Sequence, residues 1–145
     1  MNIAQCILSI TPHWHCRMGV SDTVWEAIES SKKLVFPPDY KEFMKWSDGG
    51  EGKLSHVYLS IWPSTQTVKL NQDYKINHYL GDKVLAIGSD GGSICFLLDY
   101  RFTETPTFAS VNVGDLDPRE IKPIASSFTE ALNLAISGQI VGDEL

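Results

Sequence analysis

Apolar and polar positions alternate with different periods along the chain. Phe128, Ala131, Leu132, Ala135 and Ile136 fall at i, i+3, i+4, i+7 and i+8 behind a Ser127–Glu130 capping box, with Gly138 as the stop. That spacing predicts a helix over 128–137. Thr23 and Glu26 have the same box spacing ahead of Val24, Trp25 and Ile28, which predicts a helix over 23–33 with Thr23 as N-cap. Pro37-Pro38-Asp39 opens a third: proline is tolerated in a first turn, Asp39 suits the positive helix end, and Tyr40, Phe43 and Met44 share one face. This helix, over 38–47, is expected to stop at Gly49 or Gly50 in the left-handed conformation.

Strand signals have period two or none. Val57 to Ile61 alternates loosely, and 108–113 alternates between Phe108, Ser110, Asn112 and Ala109, Val111, Val113. Val84–Ile87 and Ile94–Leu98 are unbroken apolar runs around Gly88-Ser89-Asp90-Gly91-Gly92, which predicts a hairpin of central strands buried on both faces. A short helix is expected over 65–72, and the chain turns over Asp115–Pro118. The order helix, helix, strands, helix predicts a single α+β domain with a mainly antiparallel central sheet flanked by helices.

At 145 residues with 43% hydrophobic and 21% charged, the chain is long enough to bury a core without disulfides or metals. Its three cysteines, Cys6, Cys16 and Cys95, are odd in number and widely spaced, which fits a reducing cytoplasm. No stretch has the length of a membrane span, and Ile3–Ile10 lacks the flanks of a signal peptide, so a cytoplasmic location is expected. The net charge is −6. Residues 1–85 hold nine acidic and nine basic residues, while 86–145 hold nine acidic against Arg101, Arg119 and Lys122. A field of this sign disfavours nucleic acid and suits a basic protein partner.

Chemistry-bearing patterns are sparse. His13, His15 and Cys16 are metal-type residues, but His13 and His15 would share one face of a strand without a fourth ligand. Cys95 lies in an apolar run, where burial makes a thiol inert. His56 and His78 have no nucleophile motif around them, so an unrecognised hydrolase is the weakest reading. The tetrapeptide Ser-Asp-Gly-Gly occurs twice, at 47–50 and 89–92. The first closes a helix, at the wrong dipole end for an anion, and Asp48 with Glu51 supplies too few ligands for calcium. The second joins two strands. Trp62, before Pro63, is the aromatic expected at the surface, where it would anchor an interface.

Four stretches taken in order carry a resemblance. Phe36–Gly52 (FPPDYKEFMKWSDGGEG), Leu59–Tyr74 (LSIWPSTQTVKLNQDY), Val84–Asp99 (VLAIGSDGGSICFLLD) and Ile121–Ile136 (IKPIASSFTEALNLAI) resemble the SUKH superfamily of Smi/Knr-type domains. Asp48 stands where asparagine is common, and Ser93 where a third glycine often stands. The resemblance covers about 23–137, which divides the chain into an N-terminal extension (1–20), a SUKH-like domain (21–140) and a short tail (141–145). It implies an α+β fold and no known catalysis, and the residue patterns themselves predict no metal and no cofactor. Most bacterial members are immunity proteins that bind and block a polymorphic toxin, often a nuclease; the yeast-like alternative is a regulatory scaffold. The expected partner is therefore a basic toxin domain, with Asp48, Glu51, Trp62, Asp90, Asp99, Asp115 and Asp117 as contact residues. Gly49, Gly50, Gly88, Gly91 and Gly92 are expected as turn and cap positions.

Overall fold

Among the described residues, six strands pair in sequence order, each antiparallel to the next: β1 (Gly50–Leu54), β2 (Val57–Ile61), β3 (Val84–Ser89), β4 (Ile94–Asp99), β5 (Thr107–Asn112) and β6 (Lys122–Ala125). The helices are α1 (Ile3–Ile10), α2 (Asp22–Lys32), α3 (Pro38–Trp46), α4 (Ser64–Asp73), α5 (Ile76–Leu80) and α6 (Phe128–Ile136). The computed structural model describes residues 1–141 and 145; the tail expected over 141–145 lies mostly outside them. The result is the single α+β domain with an antiparallel sheet that the element order predicts. Its edges are blunted against further pairing. His15 N donates to the Glu51 carbonyl at 2.7 Å outside β1, and β6 carries Pro123, which has no N–H to offer.

The centre of the sheet, β3 to β5, is buried on both sides. One face (Leu59, Ile61, Leu85, Ile87, Phe96, Leu98, Phe108) packs against α1, α2, α3 and α6. The other (Val84, Ala86, Cys95, Leu97, Ala109, Val111) lies under α4, α5 and the β5–β6 connection. The two unbroken apolar runs are thus central strands, as their composition predicts, every residue of β4 being buried.

Several elements differ from the sequence reading. Helix α1 is unpredicted, yet Asn2 and Gln5 form its capping box and it buries Cys6 and Ile10. The chain then makes a 3-10 turn over Thr11–His13, so His13 and His15 do not share a strand face. Strand β1 is hidden by its glycines, which are there for close approach. A Cβ on Gly50 would lie 2.4 Å from Trp14 Nε1, and one on Gly52 would lie 2.1 Å from the His13 carbonyl oxygen. Residues 13–15 therefore lie across β1, while Cys6, Ile10 and Trp14 share the main core. Short α5 and β6 are likewise additions to the predicted set.

The caps also shift. Helix α2 starts behind Ser21, not Thr23, whose hydroxyl instead meets Ser21 Oγ at 2.7 Å. Helix α3 ends at Ser47 in extended conformation, before either glycine. Asp39 sits between two helix N-termini: from α3 its Oδ2 accepts Thr129 N at 2.9 Å and Thr129 Oγ1 at 2.7 Å at the start of α6. Replacing Asp39 by alanine strands a helix N–H and removes an anion from two positive dipole ends. The expected loss is about 1–2 kcal/mol in urea unfolding, with Asp39→Asn retaining roughly half.

Candidate functional site

Strand register carries a row of polar residues across the second face. Glu51 pairs with Ser60, Ser60 with Ser89, and Ser89 with Cys95. Helices α4 and α5 cover β3 on this side, but β1 and β2 stay open, leaving Glu51, Lys53 and Tyr58 exposed and Ser60 half-buried. Tyr58 donates its hydroxyl to the Glu51 carboxylate, a diagonal cross-strand pair. That bond, followed by desolvation and the Glu51 charge, raises the phenol above its ordinary pKa.

The β3–β4 turn completes this end of the sheet. Asp90 Oδ1 accepts Gly92 N at 2.9 Å and Ile94 N at 3.3 Å, and Gly91 takes φ 86 to reverse the chain. A Cβ on Gly91 would stand 3.0 Å from the Tyr58 ring, so the turn rests on that tyrosine. Val113 N reaches the Ser93 carbonyl at 2.8 Å, which brings the β5 end and exposed Asp115 alongside the same turn. Glu51, Asp90 and Asp115 thus gather at one end of the sheet.

The other expected contact residues lie elsewhere. Asp48 is 8% exposed; its Oδ1 accepts Ser64 N at 2.7 Å and its Oδ2 accepts Ser64 Oγ at 3.0 Å. Pro63, the residue ahead of α4, has no side chain able to cap, so Asp48 supplies the cap from a distant segment. Asp99 lies at the opposite end of β4 with its side chain 4% exposed, held by Arg101 at 3.0 Å. Arg101 continues to the Pro118 carbonyl at 3.1 Å and so pins the β5–β6 connection over the second face. Asp117 lies on that connection, where its hydrogen bonds from Arg119 hold its pKa down at about 2.

Trp62 is a correction to the expected surface anchor. It follows Ile61 and would point out beside Ser60, but α4 folds back onto that face. The indole is buried in the second core and stacked on Tyr74 at 6.1 Å. Tyr58 holds the exposed position instead. The apolar Val57, Leu59 and Ile61 point to one face, so strict alternation is the signal that would have found it.

Catalytic-type residues remain dispersed. Cys95 is buried and its thiol is pushed up to about 12, chiefly by burial and further by Asp90, which removes the nucleophilic thiolate. His56 lies in the β1–β2 turn against Gly138, and His78 on α5 meets Tyr79 edge-on. Among the described residues no group of three or more His, Cys, Asp or Glu is placed to hold a metal ion. Nor, among them, is any helix long and apolar enough to cross a membrane. A search of the curated proteins finds no match to the chain. Over residues 19–134, however, the sequence matches the SMI1 / KNR4 family (SUKH-1), and the chain belongs to that family.

Proposed function

We propose that this chain is a non-catalytic immunity protein that binds a basic toxin domain and blocks it in the cytoplasm. The observation that carries the reading is the uncovered end of the sheet, where Tyr58 pairs across from Lys53, holds Glu51 and supports the turn that carries Asp90, with Asp115 beyond that turn. Strand pairing fixes Tyr58 and Glu51, and the hydrogen-bonded turns after β3 and β5 carry Asp90 and Asp115, so an approaching cationic surface meets carboxylates on an ordered frame. An exposed tyrosine supplies rigid apolar area with a polar tip, and the carboxylates around it steer a basic partner. The family is known for immunity proteins to polymorphic toxins, which supports the same reading.

The test is calorimetric titration with the toxin domain encoded beside this gene, together with protection of cells that express it. Glu51→Lys combined with Asp115→Lys alters two exposed side chains, neither of which holds a turn or helix cap. The pair is expected to weaken binding about 10–100-fold, mostly through association rate, and to flatten the salt dependence. Unchanged affinity in the double variant would move the interface elsewhere. Absence of both binding and protection with the wild-type chain would remove the neutralising role.

A further inference from the structure

The opposite end of β3 and β4 carries a groove of about 730 Å³ between the α2–α3 connection and the segment leaving β4. Its two walls are tied together, because Tyr100 donates its hydroxyl to the Val35 carbonyl at 2.9 Å and Tyr100 N reaches the Lys83 carbonyl at 2.8 Å. Buried Phe36 and Tyr100 lie beneath, while Val35 is 73% and Phe102 is 78% exposed. Two large apolar side chains therefore flank one concavity, with the Arg101 guanidinium 4.9 Å over the Phe102 ring.

The charge on this groove runs against the rest of the molecule. Lys33 and Lys83 line it, and among the described residues neither ammonium has a hydrogen bond or ion pair. Arg101 is already committed to Asp99 and the Pro118 carbonyl. Glu104 is the groove's carboxylate. On a chain of net charge −6, two unpaired lysines beside an apolar concavity select an occupant of opposite sign.

We propose that this groove is a second docking site, for an extended protein segment that carries a large apolar side chain between carboxylates. The apolar side chain enters between Val35 and Phe102, and its flanking carboxylates reach Lys33 and Lys83. Lysines act here as mobile point charges, so the site reads the sign of the segment more than its detailed geometry. A second copy of this chain, offering its own acidic end, would bind head to tail. Such a contact joins opposite ends of the molecule and does not close at two copies, which disfavours it for a discrete protein. The site is distinct from the acidic end in place and in sign, and stands whether or not that end binds a toxin.

The test is an amide NMR titration of the isotope-labelled chain with the acidic peptide acetyl-Glu-Asp-Phe-Glu-Asp-amide, and with its lysine counterpart acetyl-Lys-Lys-Phe-Lys-Lys-amide. Expected are saturable shifts confined to residues 33–36, 83 and 100–105 with the acidic peptide only. Lys33→Glu with Lys83→Glu should weaken them at least ten-fold, and the exposed-site variant Phe102→Ser should weaken them too, with spectra unchanged elsewhere. The proposal is overturned by shifts that never saturate, by equal response to the lysine peptide, or by variants that bind as tightly as wild type. Shifts at these residues that grow with protein concentration alone would make the groove a self-interface, which also overturns it.

Discussion

Replacing Asn71 by leucine is expected to lower the free energy of unfolding by about 2–5 kcal/mol, the cost of leaving two buried backbone groups without partners. Strand β2 pairs with β3 only through Ser60–Ser89 and Ile61–Gly88, with Trp62 N reaching the Ile87 carbonyl at 2.8 Å. Beyond that point the flank of β3 has lost its neighbour. Asn71, 2% exposed on α4, takes the neighbour's place. Its Oδ1 accepts Ala86 N at 2.9 Å, and its Nδ2 donates to the Ala86 carbonyl at 2.8 Å and the Thr67 carbonyl at 2.7 Å. Leucine fills similar space but can satisfy neither Ala86 group. Asn71→Asp is the sharper control: it keeps an acceptor for Ala86 N, loses the donor, and buries a carboxylate. Both variants should unfold at clearly lower urea, followed by tryptophan fluorescence, with the aspartate recovering stability as pH falls. A loss under about 1 kcal/mol in Asn71→Leu would mean that water replaces the amide.

This asparagine shows where sequence reading stops. Local patterns were sufficient for β3, β4 and α6, because burial on both faces and the Ser127 cap write themselves into neighbouring residues. Ser127 Oγ does accept Glu130 N at 3.0 Å. Helix α1 was equally written, in the spacing of Ile3, Cys6, Ile7 and Ile10 and the Asn2–Gln5 box; judging the run by its length hides that period. Strand β1 is different in kind. Its glycines answer to Trp14 and His13, more than thirty residues upstream, and no local rule registers such a contact. The same holds at the candidate site. Asp48 and Asp99 carry the charge expected of contact residues, yet Ser64 and Arg101 engage them inside the fold. Charge marks a residue as polar, whereas only tertiary packing decides whether its carboxylate faces water. Asp90 and Asp115 come to the end of the sheet on turns that leave β3 and β5, and the diagonal from Glu51 to Tyr58 comes from the pairing of β1, a strand the glycines conceal, with β2.

Phe128→Ala should be the most damaging single truncation, with an expected loss of about 3–5 kcal/mol. The ring is 2% exposed at the first residue of α6 and meets Tyr40 at 5.4 Å, Phe43 at 5.3 Å and Phe108 at 6.3 Å. It therefore joins α3, α6 and the sheet in one aromatic cluster, and neighbours on three elements cannot all relax into the space it leaves. Each edge-to-face pair adds about 0.5–1.5 kcal/mol beyond area burial. Tyr40→Phe tests the same cluster with the opposite sign. The Tyr40 hydroxyl is buried without a hydrogen-bond partner among the described residues, and burial raises its pKa. Deleting it removes an unsatisfied polar atom and keeps the ring, so stability should hold or rise. Thermal and urea unfolding of the two variants, read beside Asp39→Ala, separates packing from capping, and the Asp39 and Phe128 effects should be non-additive because Thr129 follows Phe128 directly. A Phe128→Ala loss below about 2 kcal/mol would show that α6 settles into the gap. A Tyr40→Phe loss above about 1 kcal/mol would show that the hydroxyl has a partner, such as a buried water, holding α3 to the sheet.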